Sequence, residues 1–154
     1  MNVGFYVDTL GDKGATNVAY STLNKWVEKG LCSNASLFYT DIGWNPVTPK
    51  FALFNSTDIW NFTGNLILTS IPAITSVEKA INKFKCLFLY NNQSEKNLMA
   101  FIHVSNTTPI VVQSKEDFNY IKRITGKEPH LIEELTPEKL KDIFQWKLIL
   151  LTNR

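Results

Sequence analysis

Short runs of apolar residues alternate with amphipathic stretches along this chain of 154 residues. The first run, residues 3–7, lacks strict polar alternation, which is typical of a strand that is covered on both faces. A turn with two glycines, residues 8–14, leads to an amphipathic helix over about residues 15–29, which Gly30 ends in a left-handed conformation. The opening segment therefore predicts the strand–turn–helix unit from which a parallel sheet grows.

The same alternation predicts the rest of the sheet. Further strands are expected at residues 35–40, 51–54, 66–69, 86–90 and 109–112, and helices at about 73–84, 95–104 and 115–125. Residues 55–58 cap a brief helix or turn, and residues 130–132 predict a short edge strand. Thr136 and Pro137 begin another helix, and residues 146–151 predict a last strand.

Strands that alternate with helices at this spacing favour a mostly parallel sheet with helices on both faces. Because crossover connections between parallel strands are right-handed, the expected fold is α/β, a three-layer, Rossmann-like, doubly wound domain with about six strands. We expect one domain at residues 1–145, followed by a tail at residues 146–154.

Composition and charge exclude several classes of protein. With 44% hydrophobic and 12% aromatic residues, the chain is too apolar for a disordered protein. Its 16 basic and 14 acidic residues are scattered, so we expect no nucleic-acid partner. No apolar run approaches the roughly twenty residues that span a bilayer, and a signal peptide is not recognisable, so we expect no membrane span and a cytoplasmic location.

Neither a metal site nor an intrinsic cofactor is expected. Cys32 and Cys86 form no CxxC pair, and His103 and His130 add no ligand-like spacing, so the cysteines are interpreted as reduced, mostly buried thiols. The two histidines also lack an obvious serine or cysteine partner, which argues against a nucleophilic triad. We therefore assign no catalytic residue.

Ligands of an open parallel sheet bind where the loops at the carboxyl ends of its strands meet. Those loops are expected at residues 8–14, 41–45, 55–58, 69–72, 91–94 and 113–115. The first is the most suggestive, because Gly11 and Gly14 expose backbone amides beside a helix N-terminus, which suits a phosphate or another anion. It matches no phosphate-binding fingerprint, so a tight structural turn is the alternative interpretation.

Four passages resemble the N-terminal, Rossmann-like half of the GT-B-fold glycosyltransferases, the retaining family that uses nucleotide-sugar donors. They are residues 2–30, the strand pair within 65–73 and 84–90, the strand–serine–helix–glycine passage within 110–126, and the run 130–144. Residues 147–154 resemble the first strand of that family's second domain, with Asn153 where a glycine usually precedes the arginine.

The resemblance implies a glycosyltransferase-like, acceptor-side domain. In this family the second domain holds the nucleotide-sugar and the first mainly binds the acceptor, so a sugar or glycan acceptor is the expected ligand. By position, the acceptor-side residues would be Gly11, Asp12, Lys13, Gly14, Thr69, Ser70 and Ser114. Because the reaction occurs between two domains, a lone half is expected to be inactive without a donor-binding domain.

Two other functions stay open. A non-catalytic binding or structural module on the same fold would bury the apolar strand 146–151 internally or in a homo-oligomer. An independent small-molecule enzyme of flavodoxin-like or nucleotide-binding type ranks last, because no phosphate fingerprint is complete. The sequence alone does not decide whether the chain is an enzyme.

Overall fold

A computed structural model describes residues 1–80, 84–91 and 98–146 of the chain. These residues form eight strands: β1 (Asn2–Thr9), β2 (Asn34–Asp41), β3 (Ala52–Asn55), β4 (Asn65–Leu68), β5 (Lys85–Leu89), β6 (Ile110–Val112), β7 (His130–Leu131) and β8 (Gln145–Trp146). The helices are α1 (Gly14–Glu28), a 3-10 helix (Ser56–Asn61), α2 (Ile71–Glu78), α3 (Leu98–Thr107), α4 (Lys115–Thr125) and α5 (Pro137–Leu140).

The strands form one sheet in the order β3-β2-β1-β4-β5-β6-β7, and all neighbours in this order are parallel. This order confirms the predicted Rossmann-like α/β fold, with seven parallel strands where the sequence predicted about six. The chain moves outward from β1 to β3 and then returns to place β4 on the other side of β1. The order in which successive strands are added therefore reverses between β1 and β4, although the two strands are parallel.

The sheet has a hydrophobic core on each face, which confirms the three-layer arrangement. Tyr6, Leu66 and Leu68 point into the core beneath α2, α4 and the 3-10 helix. Phe5 and Ile67 point into the opposite core, which α1 and α5 cover. Successive residues of the central strands are thus buried on alternate faces, which explains why the sequence of β1 and β4 shows no polar alternation.

Capping residues and glycines in the sequence predict the helix termini well. Asn55, Ser114 and Thr136 each cap the helix that follows, as predicted, through a side-chain oxygen that accepts a backbone N–H. Gly30 and Gly126 both adopt positive φ, at 65° and 73°, and end α1 and α4.

The predicted helices at 73–84 and 95–104 are shifted. The helix predicted at 73–84 begins earlier, at Ile71, because Ser70 is its cap and Pro72 fits its first turn. The helix predicted at 95–104 runs to Thr107. Residues 81–83 and 92–97, which these predictions include, lie outside the described part of the chain.

The eighth strand is short and antiparallel. In β8, Gln145 pairs with Cys86 and Trp146 with Lys85, beside the first residues of β5. On that same side, β6 pairs only with Phe88 and Leu89, so β8 fills the place that β6 leaves open. The other residues of the predicted strand 146–151 lie outside the described residues, and the proposed domain boundary at 146 stays a prediction.

One half of the sheet is covered thinly. The connection from β2 to β3 contains no helix; it runs along α1, where the Asn24 amide donates to Thr48 O over 3.1 Å and Lys50 pairs with Glu28. The connection from β3 to β4 contains only the 3-10 helix. As a result, all four residues of the edge strand β3 are exposed.

We expect Trp26→Phe to lower the free energy of unfolding by about 2–3 kcal/mol. Trp26 is fully buried in α1, and its Nε1 donates to Leu135 O over 3.1 Å, so the substitution leaves a cavity and an unpaired carbonyl. Equilibrium urea unfolding measures the change. Trp44→Phe is the matched control, because Trp44 is 77% exposed and should change stability by less than about 0.5 kcal/mol. Equal losses of unfolding free energy in both variants would contradict the buried, hydrogen-bonded position of Trp26.

A second prediction concerns Glu134, whose pKa lies below its ordinary value because Lys25 donates a hydrogen bond to it at 2.8 Å and adds a positive charge. Since the folded-state pKa is depressed, the pair stabilises the fold above the unfolded-state pKa, and that contribution is lost as pH falls through the folded-state value. Lys25→Gln should raise the Glu134 pKa in a carboxyl NMR titration, and it should do so more than Lys29→Gln, because Lys29 is the weaker influence. A larger rise of the Glu134 pKa in Lys29→Gln than in Lys25→Gln would show that Lys25 is not the main partner of Glu134.

Candidate functional site

A cleft of about 660 Å³ lies at the carboxyl ends of β1 and β4, where the strand order reverses. The loops that leave these two strands turn to opposite faces of the sheet, and such a divergence opens a crevice between them. The cleft is lined by Asp8, Thr9, Asp12, Lys13, Gly14, Ala15, Thr16, Asn17, Thr69, Ser70 and Asn91. Most of these residues belong to the loop after β1 and the first turn of α1.

Hydrogen bonds hold the loop after β1 in place. The Thr9 hydroxyl accepts from Gly11 N at 3.1 Å, and the buried Thr16 hydroxyl donates to Thr9 O at 2.6 Å. Leu10 N donates to Asp41 O at 3.0 Å and extends the pairing between β1 and β2. The start of α1 is therefore fixed relative to the sheet.

The N-terminus of α1 is the one α-helix start, among those whose cap is described, without a side-chain cap. Its cap residue, Lys13, makes no side-chain hydrogen bond, and its first turn holds no acidic residue. Within the described residues, the backbone N–H groups of Gly14, Ala15 and Thr16 have no acceptor. Three donors and the positive end of the helix dipole are consequently available at the cleft.

Two carboxylates lie on the same cleft. Asp8 Oδ1 accepts from the Ser70 hydroxyl at 2.6 Å, and the Ser70 oxygen in turn accepts from Ala73 N. Asp12 Oδ1 accepts from the Asn17 amide at 2.6 Å, and Asn17 is itself held by Asn45 at 3.2 Å. Each carboxylate keeps a second oxygen that has no partner in the described part of the chain.

Thr69 supports the floor of the cleft. Its hydroxyl donates to Tyr6 O at 2.7 Å, and its own N–H reaches the same carbonyl at 3.3 Å. These bonds continue the pairing of β1 with β4 beyond its last ladder pair, Tyr6 with Leu68. Because Thr69 is buried and its hydroxyl proton is already donated, it positions Ser70 rather than offering a donor to a ligand.

Most of the residues predicted to bind an acceptor come together at this cleft. Asp12, Lys13, Gly14, Thr69 and Ser70 all line it. Their contact with a ligand stays a prediction.

The other two predicted residues do not line the cleft. Gly11 lies in the same loop but not on the lining. Ser114 follows β6, two strands away from β4 in the sheet, and its hydroxyl accepts from Asp117 N at 3.1 Å as the cap of α4.

Several lining residues were not among the predicted site residues. Asp8 follows the predicted first strand and belongs to the expected loop 8–14, so its position in the sequence indicates that it could lie at the site. Thr16 and Asn17 lie inside α1, and nothing in their spacing marks them. Asn91 follows β5 and reaches the cleft because β5 is the neighbour of β4.

Gly43 is the glycine on which the geometry of this loop depends. A Cβ atom there would lie 2.6 Å from Gly11 N and 2.8 Å from Gly11 Cα. Gly11 itself has room, since a Cβ atom would meet the Thr9 hydroxyl at an ordinary 3.4 Å and its φ is not positive. The close approach of the two loops therefore requires glycine at 43 and not at 11.

Comparison with family models, with curated proteins and with solved structures finds no match for this chain. Within residues 1–80, 84–91 and 98–146, no cluster of three or more His, Cys, Asp or Glu side chains forms a metal site. No helix in the described parts of the chain is long and apolar enough to cross a membrane. Cys86 is buried and Cys32 is half-buried, and burial raises the pKa of the Cys32 thiol.

We expect Gly43→Ala to lower the unfolding free energy by about 1–3 kcal/mol, because the new methyl group meets the Gly11 backbone, which has no flexible end to move aside. The amide NMR signals of residues 9–14 should shift as the loop is displaced. Gly11→Ala is the matched control and should leave the fold within about 0.5 kcal/mol of the original. Equal tolerance of both substitutions would show that the two loops do not meet as described.

Proposed function

We propose that this chain is a glycosyltransferase-like, acceptor-side domain that binds a sugar or glycan in the cleft between β1 and β4. The resemblance of the sequence to the N-terminal half of GT-B-fold enzymes supports this function. The position of the cleft supports it as well, since ligands of doubly wound sheets bind where the strand order reverses.

The observation that carries the proposal is the pairing of free donors with free acceptors on one wall. Asp8 and Asp12 each keep one carboxylate oxygen for a ligand, while Gly14, Ala15 and Thr16 offer backbone N–H groups. A hydroxyl group both donates and accepts, so neighbouring hydroxyls of a sugar satisfy both kinds of group. The volume of about 660 Å³ suits a mono- or disaccharide.

Charge favours a neutral sugar over a phosphate at this site. Lys13 and the start of α1 attract an anion, but Asp8 and Asp12 together bring two negative charges to the same lining. A neutral polyhydroxylated ligand bonds to both sets of groups without repulsion. We therefore expect phosphorylated ligands to bind more weakly than their neutral sugars.

The described lining of the cleft comes from the proposed acceptor-side domain. A transfer reaction also needs a donor held opposite the acceptor. The proposed domain is accordingly inactive by itself and depends on a donor-binding domain or partner. No residue is assigned to the chemical step.

A non-catalytic module that forms homo-oligomers is the second candidate. It is favoured by Trp146, which is 61% exposed at the end of the described chain and is followed in sequence by Lys147 and the apolar residues 148–151. If this apolar segment forms an exposed strand, as the sequence predicts, it pairs readily with another copy.

The test of the first candidate is a two-dimensional NMR titration with a panel of neutral saccharides, sugar phosphates, nucleotides and flavins. A neutral saccharide should shift the amide signals of residues 12–17 and 70, and Asp8→Asn should weaken its binding by about tenfold through loss of a charged acceptor. Asp142→Asn, an exposed carboxylate away from the cleft, is the control. Shifts of these same cleft signals with nucleotides or flavins, and with no saccharide, would overturn the proposal in favour of a nucleotide-binding protein.

The second candidate is tested by size-exclusion chromatography with light scattering on the full chain and on a variant that ends at Trp146. A dimer that the truncation abolishes supports a homo-oligomer through 146–151. A full-length chain that elutes as a monomer over the whole concentration range contradicts it.

A further inference from the structure

A second cavity, of about 480 Å³, lies near the amino ends of β1, β2 and β3, remote from the first cleft. Its lining includes Ser36, Phe38, Ala52, Phe54, Asp58 and Asn61. It opens on the face of β1–β3 that the 3-10 helix covers, opposite the face that α1 covers. None of the residues of the first cleft contributes to it.

The strand register explains why a recess forms here. Ser36 of β2 pairs with Ala52 of β3, and two residues further on Phe38 pairs with Phe54. Residues two apart in a strand share a face, so a pair of small side chains lies beside a pair of large ones. The small pair forms the floor of the recess and the large pair forms its wall.

The wall is aromatic and partly open to solvent. The rings of Phe38 and Phe54 stack with centroids 5.7 Å apart and planes inclined by 26°, and Phe62 meets Phe38 edge-on at 5.2 Å. Phe38 is buried, whereas Phe54 is 40% exposed. The outermost ring of the stack therefore offers aromatic surface on which a flat group can pack.

The 3-10 helix contributes polar groups to the lining. Asp58 and Asn61 come from the 3-10 helix, both are exposed, and neither side chain has a hydrogen-bond partner among the described residues. The lining holds a carboxylate and several carboxamides but no lysine, arginine or histidine. These groups accept from N–H donors and provide no counter-charge for a phosphate.

We propose that this cavity is a second binding site, for a flat heteroaromatic ring of about nucleobase size that carries N–H donors and no negative charge. The ring stacks on Phe54, its edge donates to Asp58, and the recess over Ser36 and Ala52 admits its far end. The volume lies within the range of small-molecule sites.

The chain supplies a matched pair of variants for the test. Leu53 and Phe54 are neighbours on β3 with nearly equal exposure, 38% and 40%, but they point to opposite faces of the sheet. Adenine serves as the probe in an NMR titration, with cyclohexanol as a ring that is neither flat nor aromatic. Adenine should shift the amide signals of Ser36, Phe54 and Asn61 with a Kd of about 1 mM or tighter, and cyclohexanol should not.

Phe54→Ala should weaken adenine binding by at least about fivefold, and Leu53→Ala should leave it unchanged. Asp58→Asn provides a second variant on a solvated helix and should weaken binding about threefold. Asp8→Asn should have no effect, which separates this site from the first cleft. Equal effects of Leu53→Ala and Phe54→Ala, or no adenine shifts at about 10 mM, would overturn the proposal. So would a dimer that Phe54→Ala dissociates, because the cavity would then belong to an interface between copies.

Discussion

The structure depends on the burial of β1 on both faces and along both edges. Its residues pair in parallel with β2 on one side and β4 on the other, while Phe5 and Tyr6 enter opposite cores. A strand placed in this way has no freedom to slip, because a shift of one residue would exchange its two core faces. Its carboxyl end is consequently a fixed point, and the chain segments that leave it and β4 diverge around an open space.

The groups available to a ligand in that space are those that the fold does not use. The hydroxyls of Thr16 and Thr69 are bonded to carbonyls of β1, and Ser70 both caps α2 and holds Asp8. These bonds fix the backbone, so the uncapped amides of α1 and the second carboxylate oxygens need no rearrangement before binding. Preorganised polar groups lose little entropy when a ligand arrives.

Local patterns predicted the elements of this fold better than their arrangement. Apolar runs located the strands and polar caps such as Ser114 located the helix starts, because both signals act over a few residues. The contact of Gly43 with Gly11 joins two loops from different connections, and no short-range pattern encodes it. The sequence predicts Ser114 as a site residue by its position after a strand, whereas strand order, which no local pattern encodes, places β6 two strands away from β4.

The hydrogen bond from Trp26 to Leu135 joins residues 109 positions apart in sequence. During synthesis the first strand and helix leave the ribosome early, yet Leu135, whose carbonyl accepts from Trp26, emerges only after 109 further residues have been added. The nascent N-terminal unit must therefore wait with a large aromatic surface uncovered. Apolar surface that stays exposed until a distant segment is made favours aggregation, which chaperones counteract.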